Sequence, residues 1–121
     1  IPDARVIAGL NLGLRRDDGA IVYLNGDEVL RSNMPTGNTG FNTLASSTTG
    51  SEDESTFFES EIAVAFLRTG TNVLAVEVHQ SSRTSSDVAF DLELRAIASA
   101  SARPSIFTTF ISLLKSPPSR R

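Results

Sequence analysis

Two dipeptides that favour tight turns, Asp18-Gly19 and Asn25-Gly26, bracket the five residues Ala20-Ile21-Val22-Tyr23-Leu24. The ten residues from Asp17 to Gly26 constrain the fold more than any other stretch. Both dipeptides accept the positive φ that short hairpin connections need, and the residues between them are largely β-branched or aromatic. The pattern predicts one short strand with a reversal at each end. Leu10, Leu12 and Leu14 alternate with polar or small residues just before it, and Glu28-Val29-Leu30 follows it. Read locally, residues 10 to 30 form a three-stranded meander on which the rest of the chain packs.

Period-two alternation returns downstream. Phe57 to Ala65 sets Phe58, Ser60, Ile62 and Val64 against Phe57, Glu59, Glu61 and Ala63. Asn72 to Gln80 sets Leu74, Val76 and Val78 against Ala75, Glu77 and His79, an aliphatic face opposite a polar one. Val88, Phe90, Leu92 and Leu94 alternate with Ala89, Asp91, Glu93 and Arg95. No helical period precedes residue 95, so the body is all-β, an antiparallel β-sandwich or jelly roll. Between residues 31 and 53 lies a long polar stretch punctuated by glycines, which crosses between sheets or carries function, with Phe41 and Leu44 as its expected anchors.

Residues 1–95 thus read as a sandwich domain, 96–104 as a small-residue linker and 105–121 as a C-terminal segment. In that segment Ile106, Phe107, Phe110, Ile111, Leu113 and Leu114 fit a helical face. Their Ile, Thr and Phe content nevertheless favours a strand. Chain length and a hydrophobic content of 40% suit one core rather than two. The net charge of -3 offers no basic footprint for nucleic acid or anionic membranes. No stretch is long enough to span a membrane, and Ile1-Pro2-Asp3 reads as a mature or excised end rather than a leader. With no cysteine there is no disulfide or thiolate metal site, and a single histidine leaves zinc dependent on carboxylates.

Asp17 to Gly26, then Arg31-Ser-Asn-Met-Pro35, Gly70 to Gln80 and Ser85 to Leu94 together resemble a bacterial module. It is the galactose-binding-like jelly roll, similar to the sugar-binding domain of family 2 glycoside hydrolases, found in large secreted multidomain proteins. The resemblance covers about residues 10 to 95 and implies an extracellular, non-catalytic role without naming a ligand, since relatives bind sugars, bind calcium or join other domains. Two departures stand out. The family pattern carries one more strand ahead of Leu10 and lacks any counterpart of Ile106 to Leu114. A sheet short of an edge strand exposes unpaired backbone groups. Segment 105–114 is therefore expected to fill a vacant edge, on its own domain or in a neighbouring copy, and the second arrangement builds a filament by strand complementation.

The candidate sites follow. Asp17 and Asp18 read either as calcium ligands, with Asp87 or backbone carbonyls completing the shell, or as turn caps. His79 and Gln80, together with Asp87 of the hydroxyl-rich loop 81–87, read either as glycan-binding or as satisfied structural groups. Glu52, Asp53, Glu54, Glu59 and Glu61 read as a solvated acidic surface, since nothing sets two of them at a catalytic separation. No Gly-x-Ser-x-Gly elbow or phosphate loop occurs. The chain has no Trp, and Tyr23 is expected to point into the sandwich, which removes a flat aromatic glycan platform. The expected function is a non-catalytic extracellular structural or adhesion module that self-assembles through Ile106 to Leu114. The alternative is a carbohydrate-binding module attached to a secreted enzyme.

Overall fold

The computed structural model describes residues 1–48, 56–84 and 88–99, together with the backbone of 106–108 and 112–115. Within them the chain is all-β. Eight strands run in order: β1 Ile7–Asp17, β2 Gly19–Leu24, β3 Asp27–Ser32, β4 Phe58–Glu61, β5 Val73–His79, β6 Ala89–Ala98, β7 Ile106–Thr108 and β8 Ser112–Lys115. They form two four-stranded sheets, β4-β1-β6-β7 and β3-β2-β5-β8, called A and B below. Every pairing is antiparallel except the parallel one between β5 and β8. Among the described residues no helix is long and apolar enough to cross a membrane.

One core joins the two sheets. Sheet A supplies Leu10, Leu12, Leu14, Leu94 and Ala96, and sheet B supplies Ala20, Val22, Leu24, Leu74, Val76 and Val78. On β1 and β5, and at Leu94, these are the inward positions that the alternation predicts; on β2 the inward side is the opposite of the one expected for Tyr23, and Ala96 lies beyond the expected strand. Pairing across strands keeps them in rows, Leu12 opposite Leu94 and Val22 opposite Val76. Fully burying a Leu or Val is worth about 1.5–3 kcal/mol relative to leaving it in water, so this two-sided stack dominates the stability of the body.

The meander is the first correction. β1 and β2 are not hairpin neighbours: β1 lies between β4 and β6 in sheet A, and β2 between β3 and β5 in sheet B. Asp17-Asp18-Gly19 is the corner where the chain leaves one sheet and enters the other. Gly19 is absent from the residues with positive φ, whereas Asn25 (φ 54°) and Gly26 (φ 92°) make the true tight hairpin between β2 and β3. A glycine at position 19 serves space instead. A Cβ there would sit 2.6 Å from the Asn33 carbonyl oxygen, 2.7 Å from Met34 Sδ and 2.9 Å from Ala45 Cβ.

Other boundaries shift for local reasons. The strand expected over 57–65 ends at Glu61; Ile62 still reaches the core and donates its amide to the Leu10 carbonyl at 2.9 Å, then Val64–Phe66 turn as a 3-10 segment. β6 continues through Ala96, Ile97 and Ala98, which therefore belong to sheet A and not to a linker, because Ala96 lies opposite Leu10 and is buried in the core. Below β2, the side chain of Asn25 accepts from the Val73 amide and donates to Asn72 Oδ1 and the Phe66 carbonyl. Asn72 in turn bonds the backbone of Arg68 and Gly70. This satisfied amide pair fixes the 68–72 turn against the hairpin.

The C-terminal segment forms two strands rather than one. The backbone of β7 pairs with β6 through Arg95–Thr108, Ala96–Phe107 and Ile97–Ile106. That of β8 pairs with β5 from Val73–Ser112 to Val76–Lys115. In this single chain the segment thus supplies an edge strand to each sheet of its own body. Phe110 and Ile111 lie outside the described residues.

Candidate functional site

The outer face of sheet B carries the densest polar arrangement among the described residues. Strand register sets Gly19 opposite His79, Ile21 opposite Glu77 and Tyr23 opposite Ala75, while their neighbours Ala20, Val22 and Leu24 face the core. Tyr23 therefore lies on the outside of the sheet and not within the sandwich, because it shares the odd-numbered face with Ile21. Ile21 is itself fully buried, under a second, smaller apolar cluster with Met34 and Ala45.

That cover is a strap over residues 33–48. Met34 and Ala45 anchor it; Phe41, expected to pin it, stands 62% exposed. Asn33, in the left-handed region at φ 54°, donates from Nδ2 to the carbonyls of Asp18 and Ser47 and accepts from the Ser47 hydroxyl. The Ala45 amide donates to the Gln80 carbonyl and the Ser46 amide to the Asn33 carbonyl, both at 2.9 Å. Asparagine tolerates the left-handed conformation better than other non-glycine residues, which gives the strap its sharp start.

Beneath the strap three side chains form a row. Tyr23 Oη donates to Glu77 Oε2 at 2.8 Å, Glu77 Oε1 lies 3.0 Å from His79 Nε2, and His79 Nδ1 lies 2.6 Å from the Thr43 carbonyl oxygen. On the neighbouring strand Glu28 and Arg31 pair at 2.7 Å, and Arg31 also donates to the strap carbonyls of Pro35 and Gly37. The Arg31 guanidinium holds the Glu28 carboxyl below its ordinary value. Burial, reinforced by the Glu77 carboxylate, pushes the Tyr23 phenol above its own.

A test follows for Tyr23. Because its folded value lies above the unfolded one, the fold retains the phenolic proton; the stability involved is fully present below about pH 10 and is lost as pH climbs through the folded value. The single tyrosine should ionise at higher pH in native protein than in urea-unfolded protein, read from the tyrosinate absorbance band. Glu77→Gln should close only part of that gap, since burial is the larger cause. Equal midpoints in native and unfolded protein would contradict the buried outer-face placement.

The residues singled out from sequence gather at one end of sheet B. Asp18, 2% exposed, accepts the Ser81 amide on Oδ2 at 2.8 Å, and Gly19 pairs with His79. Asp17 and Asp18 flank the inter-sheet corner, and Asp87 lies outside the described residues. Among the described residues no three His, Asp or Glu side chains form a metal-holding group. Asp18 ties the corner to the start of the 81–84 loop through the Ser81 amide. His79 and Gln80 are each 4% exposed, and His79 uses both ring nitrogens internally, so they present no polar group to a glycan.

Comparison with protein-family models, curated proteins and solved structures found no match to this chain. The site residues that sequence reading missed are Glu77, Thr43 and Asn33. Glu77 carried a signal, since it shares the odd-numbered face with His79 and Tyr23 was a neighbouring-strand aromatic. Thr43 carried none, because its role is a backbone carbonyl delivered by the strap.

Proposed function

We propose that the chain is a non-catalytic, extracellular structural module with a galactose-binding-like jelly-roll fold, which assembles into a filament by exchanging its C-terminal segment between copies. The supporting observation is that one short segment supplies an edge strand to both sheets, three registered residue pairs on β6 and four on β5. The same edges offer a neighbour's segment the same backbone hydrogen bonds. Exchange therefore costs little beyond the geometry of the connection from Ala98 to Ile106. A head-to-tail exchange whose rotation does not close into a ring propagates as a filament.

The chain has no cysteine, which makes the test direct. Arg95→Cys with Thr108→Cys places a thiol on each side of the β6–β7 pairing. Oxidation of the assembled protein should give a ladder of covalent multimers on a non-reducing gel. Deleting residues 105–121 should leave monomers by light scattering. A crosslinked band only at monomer size, or an unchanged oligomer after the deletion, would overturn assembly by exchange. The carbohydrate-binding alternative has weaker support, since His79 and Gln80 are both buried, His79 beneath the strap.

A further inference from the structure

The junction between the strap and sheet B contains the only histidine of the chain, and its hydrogen bonds do not balance for a neutral ring. His79 Nδ1 faces the Thr43 carbonyl and Nε2 faces Glu77 Oε1. A carbonyl accepts only, and so does an ionised carboxylate, while a neutral imidazole has one N–H to give. The imidazolium satisfies both contacts. The neutral ring must leave one of them as lone pair against lone pair.

We propose that His79 is a proton-dependent latch for the strap, closing residues 33–48 on sheet B through two donated hydrogen bonds when protonated and through one when neutral. The proposal stands on geometry separate from the C-terminal segment and does not depend on filament assembly.

Among the described residues the charges around the ring are few. On β5 Glu77 is the direct partner; on β2 Tyr23 holds the other Glu77 oxygen; on β3 Arg31 and Glu28 are paired with each other. Asp18, at the corner before β2, accepts the Ser81 amide. Residues 33–48 contain no Asp, Glu, Lys, Arg, His or Tyr, so the strap brings no titrating side chain to the junction. When His79 loses the proton, the contact to Thr43 or the contact to Glu77 fails, and the strap keeps Met34, Ala45 and the Asn33 ties. The change is a loosening of the strap over Ile21 and Tyr23 and not an unfolding of the core.

Amide hydrogen exchange on the intact 121-residue chain reads the latch. After correction for intrinsic rates, protection of the Thr43, Ala45 and Ser46 amides should fall by about threefold to tenfold across a pH series taken through the range in which the ring proton is lost, the worth of one hydrogen bond, while core amides such as Val76 stay constant. Glu77→Gln gives the decisive contrast. Its amide can accept from Tyr23 and donate to a neutral Nε2, so this variant should hold the strap equally at both ends of the range. Nitrogen-15 spectra of the histidine ring in the same samples should show both nitrogens protonated where the strap is most protected. Strap protection independent of pH in the wild type, or an equal response in Glu77→Gln, would overturn the latch.

Discussion

Gly19→Ala is expected to destabilise the protein by about 2–3 kcal/mol, the scale of an overpacked site with no soft neighbour. The added Cβ would fall 2.6 Å from the Asn33 carbonyl oxygen and under 3 Å from Met34 Sδ and Ala45 Cβ. Backbone on one side and anchoring side chains on the other leave the strap itself to move. Chemical denaturation should show a lower midpoint, and exchange should quicken first at the Ala45 and Ser46 amides. Gly13→Ala is the internal control: its Cβ would meet the Phe57 ring at 3.4 Å, an ordinary contact, and stability should change by under about 1 kcal/mol. If both glycines accept alanine equally, the close approach of strap to corner at Gly19 is not the structure in solution.

Leu12→Ala is expected to cost more, about 3–4 kcal/mol, since Leu12 is 0% exposed and sits in the middle of β1. It faces Leu94 on β6 and Ser60 on β4, within the core shared by both sheets. Removing its branched end leaves a void that strands paired on both sides of β1 are poorly able to close. Folded domains of this size hold only about 5–15 kcal/mol in total, so the variant should lose a large fraction of its stability. Urea titration should give a shifted midpoint with an unchanged slope. A loss below about 1 kcal/mol would mean that the two sheets do not share this core.

The sequence made the strands legible where alternation was clean. Leu10, Leu12 and Leu14, then Leu74, Val76 and Val78, face the core as their period predicts, whereas on β2 Ala20, Val22 and Leu24 face inward, the side expected for Tyr23. The Asn25-Gly26 hairpin was equally readable, because positive φ at both residues is a local requirement. Asp18-Gly19 carried the same signature and meant something else. Its glycine answers to three atoms contributed by residues 33, 34 and 45, none of which a local pattern can place. For the same reason the burial of His79 could not be read from sequence, since it depends on a strap whose path no periodicity encodes.

What the amino-acid order determined by itself was most of the strands of the body and, on β1, β5 and β6, which side is apolar, since a two-residue period acts between adjacent residues and needs no partner. The tertiary structure decided which strands became neighbours, that the chain changes sheets at Asp17-Asp18-Gly19, and that Tyr23, Glu77 and His79 meet beneath the strap. Those outcomes rest on contacts between residues tens of positions apart. Strand pairing and closure of the core over both sheets select them together, and a turn dipeptide is compatible with either choice.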